Sequence, residues 1–378
     1  MDAASLRKDF PILGSNVVYL DNAASSLTPE PVLNAMLEYY HKYRANIHRG
    51  AHRFSLEATE KYDAARRRVA KFIGAREEEI IFTKNTSEAI NLVALTLDWN
   101  SGDVVQLGPN EHHSNILPWQ RLKRQGVKVE FRDEFDFDGK KARLIAVNHI
   151  SNVLGSQAPI ERIGREKGNA LLLVDGAQST PHIPIDVKKL NCDFFAFSGH
   201  KMLGPTGIGA LYIRREVMEK LEGAFLGGGE VLDASREGYK LVKGPQGWEA
   251  GTPDIAGAIG LAAACDYLSK IGMENVHRHC SELGRITGEK LKAVKNISIY
   301  NSENGIVSFN LKNMKPHDVS MLLDKRAKIC TRSGHHCAMP LMKKLGIDGT
   351  VRASYYVYNT KEEAELLVKT VGEIAELS

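Results

Sequence analysis

Ala170-Leu171-Leu172-Leu173-Val174-Asp175-Gly176-Ala177-Gln178 is the stretch that decides the fold. Its apolar run shows no alternation, which is the pattern of a strand buried on both faces, as in a mostly parallel sheet covered by helices. An aspartate just past the C-terminal end of such a strand sits where open α/β sheets bind ligands. A carboxylate there could hold a protonated ring nitrogen, and Gln178 could donate to a ring oxygen. The same aspartate would equally serve as a helix N-cap.

Six more runs repeat the pattern: Ile80–Thr83, Val104–Leu107, Val127–Phe131, Leu144–Val147, Phe194–Phe197 and Ile208–Ile213. Helical signals lie between them. Ile90, Val93, Ala94 and Leu97 fall on one helical face behind Thr86 and Ser87 as candidate caps. Thr360 with Glu363 fits a capping box, and Leu366, Leu367, Val371 and Ile374 form an apolar stripe after it. The stretch from Gly223 to Gly251 holds eight glycines in 29 residues, which predicts a long loop. Phe225, Tyr239 and Trp248 within it point to packing against another surface, such as a second subunit. Ile255–Leu268 reads as a helix, and helices and strands alternate again from about residue 265. The expected division is a large domain over residues 20–264 and a small one made of 1–19 with 265–378.

Other candidate site residues cluster at predicted strand ends. Phe197-Ser198-Gly199-His200-Lys201 places a lysine in a glycine-flanked turn. Desolvated there, its pKa would fall and it could form a Schiff base, while Ser198 and His200 could bond a phosphate. An exposed loop lysine is the bland alternative. Lys84-Asn85-Thr86-Ser87-Glu88 offers hydroxyls and free N–H groups at a helix start, suited to an anion as well as to capping. His112, in Glu111-His112-His113-Ser114-Asn115, could stack on an aromatic cofactor, and Asn152 follows another strand. Cys337, in Arg332-Ser333-Gly334-His335-His336-Cys337-Ala338-Met339-Pro340, has surroundings that favour a thiolate. Adjacent ligands rarely converge on one ion, and no second pair is spaced for zinc, so no metal is expected. Arg332 and Arg352 each supply a guanidinium fork for a carboxylate, or a surface ion pair.

Composition removes several classes. Lys plus Arg is 50 against 46 for Asp plus Glu, a net charge of +4 with no basic cluster, so nucleic acid is not an expected partner. No apolar run approaches the ~18 residues of a membrane span. Arg7, Lys8 and Asp9 precede any apolar stretch, unlike a secretory signal. Five cysteines, none in a CxxC pair, argue against a disulfide framework and suit a reducing cytoplasm. No G-x-G-x-x-G follows the first strand, against a nicotinamide dehydrogenase.

Taken together, these motifs resemble the fold-type I, pyridoxal-phosphate-dependent class V aminotransferase group, and within it the SUF-type cysteine desulfurases. The resemblance also rests on Phe10-Pro11, Tyr19-Leu20-Asp21-Asn22-Ala23-Ala24, Asn46-Ile47-His48-Arg49-Gly50, Trp248-Glu249-Ala250-Gly251-Thr252-Pro253 and Tyr358-Asn359-Thr360, so it spans nearly the whole chain. It implies an α/β fold: a large domain with a seven-stranded, mostly parallel sheet, plus a smaller α+β domain. It implies pyridoxal 5'-phosphate as cofactor, with Lys201 as its Schiff-base lysine and Asp175 on the pyridine nitrogen. Gln178 would bond the phenolic oxygen and His112 would stack on the ring and handle a proton. Thr86, Ser87, Ser198 and His200 would bind phosphate, completed by Thr252 of a partner subunit. Asn152 would lie beside the cofactor and, with Arg352, hold the substrate carboxylate, assisted by Arg332. Cys337 would accept sulfur from L-cysteine as a persulfide, leaving L-alanine, with a selenocysteine lyase or another C–S or C–Se lyase as the alternative. The implied partners are a second copy of the chain, with active sites at the interface, and a sulfur-acceptor protein of iron–sulfur cluster assembly. One segment departs from the family: residues 132–139, Arg-Asp-Glu-Phe-Asp-Phe-Asp-Gly, stand where a longer segment with a helix is usual.

Overall fold

The computed structural model describes residues 2–377. All seven apolar runs enter one sheet, in the order Ile80–Thr83, Gly209–Ile213, Phe194–Ser198, Leu171–Asp175, Leu144–Asn148, Val104–Leu107, Lys128–Phe131. Gly209–Ile213 runs antiparallel to both its neighbours, and the other pairings are parallel. Alternate side chains feed two separate cores. Ile145, Val147, Leu172, Val174, Phe195 and Phe197 face one. Leu144, Ala146, Leu173, Phe194 and Ala196 face the other. With apolar cover on both sides, the central strands stay apolar almost to their ends, buried Gln106 apart, which is why the sequence runs show little alternation. Lys128–Phe131 differs. It is an edge strand and is half-buried to exposed, unlike the opposite edge Ile80–Thr83, which is buried, so its reading as doubly buried is corrected.

Arg53–Phe72 and Ile255–Ile271 pack together over the first core. Thr86–Thr96 covers the second. Its cap is Asn85, whose Oδ1 accepts the Glu88 N–H at 2.9 Å, so Thr86 and Ser87 stand inside the first turn instead of capping it. The glycine-rich stretch is not loop throughout. Val231–Ala234 and Tyr239–Leu241 form an antiparallel ribbon whose Leu232 and Tyr239 are exposed, whereas Trp248 is buried in the second core.

A second, four-stranded antiparallel sheet follows, in the order Ile297–Asn301, Ile306–Leu311, Thr350–Ser354, Arg332–Gly334. Met273–Leu291, Pro316–Ala327 and Lys361–Ala375 bury their apolar faces against it. The last of these starts at the expected capping box of Thr360 and Glu363. Gly272, at φ +87°, joins Ile255–Ile271 to Met273–Leu291 with a bend of 77°. Chain entry and exit are laced together. Val18–Tyr19 pairs with Ile329–Cys330, Asp21 bridges Ser354, Asn22 Nδ2 donates to Asn359 Oδ1 at 3.0 Å, and Arg7 pairs with Glu363 at 2.7 Å. Among the described residues no single helix is long and apolar enough to cross a membrane.

Candidate active site

The C-terminal ends of the central strands meet the second sheet at a cavity of about 270 Å³. The floor comes from the first sheet. Strand register sets Asn148 beside Asp175 and Asp175 beside Ala196. Asp175 is the last residue of its strand and is 4% exposed. Its Oδ1 accepts the Ala177 N–H at 2.9 Å. Burial pushes its carboxyl above the usual range, while Ala177 and the charge of Lys201 pull it back. A cationic nitrogen against Asp175 would stabilise the carboxylate further. Gly176 has to be glycine, because a Cβ there would lie 2.2 Å from the Phe195 ring. Lys201 ends the single 3-10 turn Gly199–Lys201 that follows the next strand. Burial lowers its ammonium pKa, Asp175 opposes this, and Arg352 and Arg332 add to it. Burial and like charge thus both favour the neutral amine that covalent chemistry needs.

Hydroxyls gather at one end of this floor. The Thr86 N–H donates to Ser198 Oγ at 2.8 Å, and the Thr86 and Ser198 hydroxyls lie 2.7 Å apart. Ser87 and Ser114 hydroxyls lie 2.5 Å apart. His200 Nδ1 faces Ser25 Oγ at 3.3 Å, and its pKa is lowered to about 4 by burial and then by Lys201. Together with the start of Thr86–Thr96 these groups make an anion cradle. His112 accepts the Ser114 N–H at Nδ1 (3.1 Å), which leaves the proton of the neutral ring on Nε2. Burial, then Lys201 and His113, push it down to about 3, so the ring over the cavity is uncharged near neutral pH.

The opposite wall comes from the second sheet. Arg332 and Arg352 are direct cross-strand partners. Asp21 takes Arg352 Nη2 at 3.3 Å on one oxygen and approaches Arg332 Nη1 at 3.5 Å with the other. A carboxylate between two like charges offsets repulsion that this pairing would otherwise suffer. Arg352 is 2% exposed and also donates from Nη1 to the Asn152 carbonyl at 2.8 Å. Burial lowers its pKa to about 10, so it stays cationic. The Arg332 side chain is about half exposed. Cys337 follows, half-buried, and lines the cavity along with both arginines, Lys201 and Asp175.

Four buried polar atoms of lining residues have no partner within the protein: Gln178 Oε1, Asn152 Oδ1, His336 Nδ1 and Arg352 Nε. Unpaired buried polar atoms are costly, and a bound polar ligand would satisfy them. Gln178 directs Nε2 to the Ala23 carbonyl at 2.7 Å, so the amide shows its acceptor, rather than a donor committed to a ring oxygen. Asn152 Nδ2 holds the His336 carbonyl at 2.7 Å. The residues present fit a planar, anionic, ring-nitrogen cofactor: anion cradle, carboxylate, amine and a neutral stacking ring. Thr252 is not brought here within the protomer. It lines a separate cavity of about 250 Å³ with Asn46, Arg49 and Gly229. Asp21 and His336 were not singled out as site residues from sequence. The Tyr19–Ala24 motif was the available signal for Asp21, but its partners are 311 and 331 positions away (332 − 21 and 352 − 21). Among the described residues no group of three or more His, Cys, Asp or Glu could hold a metal ion.

Comparisons with known proteins agree with this geometry. A probable cysteine desulfurase of Pyrococcus abyssi is 49% identical, covering 98% of this chain and 96% of the relative. One from Methanothermobacter thermautotrophicus is 46% identical over 99% and 98%. The apo structure of the cysteine desulfurase from Thermococcus onnurineus NA1 superposes with a TM-score of 0.95 at 48% identity, covering 99% of this chain and 98% of that one. The Escherichia coli cysteine desulfurase CsdA, in its S-sulfonic acid form, gives 0.91 at 33% identity, covering 100% and 99%. The architecture is fold type I. The class V aminotransferase profile matches residues 18–367, and the chain belongs to that family, whose cofactor is pyridoxal 5'-phosphate.

Proposed function

We propose that the chain is a cysteine desulfurase of the SUF type, taking sulfur from L-cysteine onto Cys337 and releasing L-alanine. The observation that carries this reading is that Cys337, Lys201 and Asp175 line one cavity although 136 residues separate the two nucleophiles (337 − 201). The names of the relatives support it. So does the short spacing from Arg332 to Cys337.

Pyridoxal 5'-phosphate, when bound, supplies an electron sink for charge released at the substrate carbons. Asp175 holds the proton on the ring nitrogen. Thr86, Ser87, Ser198 and His200 anchor the phosphate, and His112 packs on the ring. Arg352 and Asn152 orient the substrate carboxylate, with Arg332 beside them. Lys201 is the amine that tethers the cofactor and takes the Cα proton. The Cys337 thiolate attacks the substrate sulfur. The new S–S bond would form as the substrate's Cβ–S bond breaks with its electron pair left on carbon, which takes up a proton to give alanine. His112 Nε2–H is placed to hold a proton at the substrate thiol.

Partners belong to the same reading. Thr252 and Arg49, remote from Lys201 in one protomer, are the residues that a second copy would deliver to its neighbour's cofactor phosphate. The exposed side of the Cys337 turn gives a sulfur-acceptor protein access. Five free cysteines suit the reducing cytoplasm in which iron–sulfur assembly takes place. The test is alanine and protein persulfide formed from L-cysteine, with and without reductant. Alanine with a persulfide on Cys337 supports the reading. Absence of alanine from L-cysteine, with turnover of L-selenocysteine alone, replaces it by a selenocysteine lyase.

A further inference from the structure

The turn that carries Cys337 is strained. Gly334, His336 and Cys337 have φ of +109°, +51° and +56°. Two successive non-glycine residues in the left-handed region persist only where their surroundings over-determine them. His336 is pinned from beneath. Its ring Nε2 meets the Thr350 carbonyl at 3.1 Å and the Thr350 hydroxyl at 2.9 Å, and its own carbonyl accepts from Asn152. Cys337 itself is held from outside by two other histidines. Its N–H donates to His335 Nδ1 at 3.0 Å. Its carbonyl accepts the His113 N–H at 2.7 Å. His113 Nε2 then accepts the N–H of Met339, the first residue of the helix Met339–Leu345, at 3.2 Å. The His113 and His335 rings lie 5.7 Å apart, so the two supports also brace one another.

We propose that His335 and His113 are positioning residues: the His335 ring fixes the Cys337 N–H, and the His113 ring fixes the Met339 N–H just beyond it, so that together they aim the Cys337 thiol into the cavity. The proposal rests on the reading of Cys337 as the sulfur acceptor. Neither imidazole lines the cavity, so each acts through a backbone N–H of the turn, His335 at Cys337 and His113 at Met339. The Nδ1 acceptor of His335 serves an N–H two residues on, a geometry that an asparagine side-chain oxygen reproduces as an Asx turn. That equivalence makes the proposal testable by rescue.

The experiment uses the cofactor-loaded protein and L-cysteine, with four readouts: kcat, KM, the visible absorbance of the bound cofactor, and the rate at which iodoacetamide alkylates Cys337. His335→Ala is expected to lower kcat by on the order of 10- to 100-fold, the cost of a misdirected reacting group, and His113→Ala, which keeps its backbone bond to Cys337 and loses only the ring's bond to Met339, by less. Absorbance and KM should stay within about 2-fold, because the floor and the arginines are untouched. His335→Asn should restore most of kcat, and its alkylation rate should return to the parent value. A His335→Ala protein with parental kcat would overturn the proposal. So would joint loss of kcat and absorbance, or an Asn variant no better than Ala. Cys337→Ala separates the two readings. Alanine formation by Cys337→Ala rejects the thiol assignment itself. An inactive Cys337→Ala beside a fully active His335→Ala rejects the clamp alone.

Discussion

Asp175 and Lys201 stand at the ends of strands that are buried over nearly their whole length, whereas Cys337 stands on a half-buried turn held by hydrogen bonds to the His335 ring, from the His113 backbone N–H and from Asn152. On the floor of the cavity, burial lowers the Lys201 ammonium toward the reactive amine, and it raises the Asp175 carboxyl against the opposing pull of the Ala177 N–H and the Lys201 charge. On the wall, burial would defeat the chemistry. Cys192, Cys265 and Cys280 show this, since burial drives their thiols up, Cys192 to about 12, away from the nucleophilic thiolate. On the proposed reading the thiol also hands its sulfur to an acceptor protein, which requires exposure. Its aim therefore depends on directional bonds instead of close packing.

If floor and wall are independent, their variants should fail differently. The largest effects come first. Lys201→Ala should lose the cofactor's visible absorbance, and alanine formation should fall at least about 1000-fold. Cys337→Ala should lose as much activity with absorbance unchanged. A Cys337→Ala protein that also lost absorbance would join the two regions into one unit. Next in size, Asp175→Asn should lower kcat by on the order of 100-fold and shift the cofactor spectrum, since a neutral amide no longer holds the ring proton. An unaltered spectrum would refute that role.

The two arginines sharpen the comparison within the wall. Arg352→Lys loses the planar fork of a buried guanidinium and should lower kcat/KM for L-cysteine about 10- to 100-fold, mainly through KM. Arg332→Lys, at a half-exposed site, should change it by no more than about 3-fold. A reversed order in steady-state kinetics would move the carboxylate site onto Arg332.

The smallest effect is on acid stability. His112 and His336 are lowered to about 3, and His149 and His200 to about 4, each mainly by burial. Between their ordinary value of 6.5 and those values the unfolded chain binds more protons than the folded one. Their contribution is therefore full above pH 6.5 and fades as pH falls toward 4. Glu111 and Asp175, raised by burial, act in the opposite sense, but they are outnumbered. Denaturation midpoints measured from pH 7 down to pH 4 should fall, and a flat profile would show that these rings are solvated.

The floor was largely legible in the sequence because its signal is local. An apolar run ending in Asp175, or in Ser198 and Lys201, states both the strand and the residue at its mouth. The wall was less so. Cys337 was visible from its neighbours, but the pairing of Arg332 with Arg352, and the Asp21 carboxylate between them, depend on long-range register that no local pattern encodes. The helix start was misread by one or two positions, since Asn85, Thr86 and Ser87 are all competent caps and only the backbone decides. Lys128–Phe131 was misread because an edge strand in a covered sheet keeps the composition of its neighbours without their burial. The ribbon inside the glycine-rich stretch was hidden by the glycines on either side of it.

The lacing of Val18–Asn22 to residues 329–359 has a bearing on how the enzyme is made. Ala23 and Ala24, which line the cavity, are translated long before the strand beside them. At roughly 5–20 residues per second, the stretch from Ile213, the end of the last strand of the central sheet, to Asn359 takes about 7 to 30 seconds, during which that seam stays open. The lysine-bearing floor is thus made well before the thiol that faces it across the cavity.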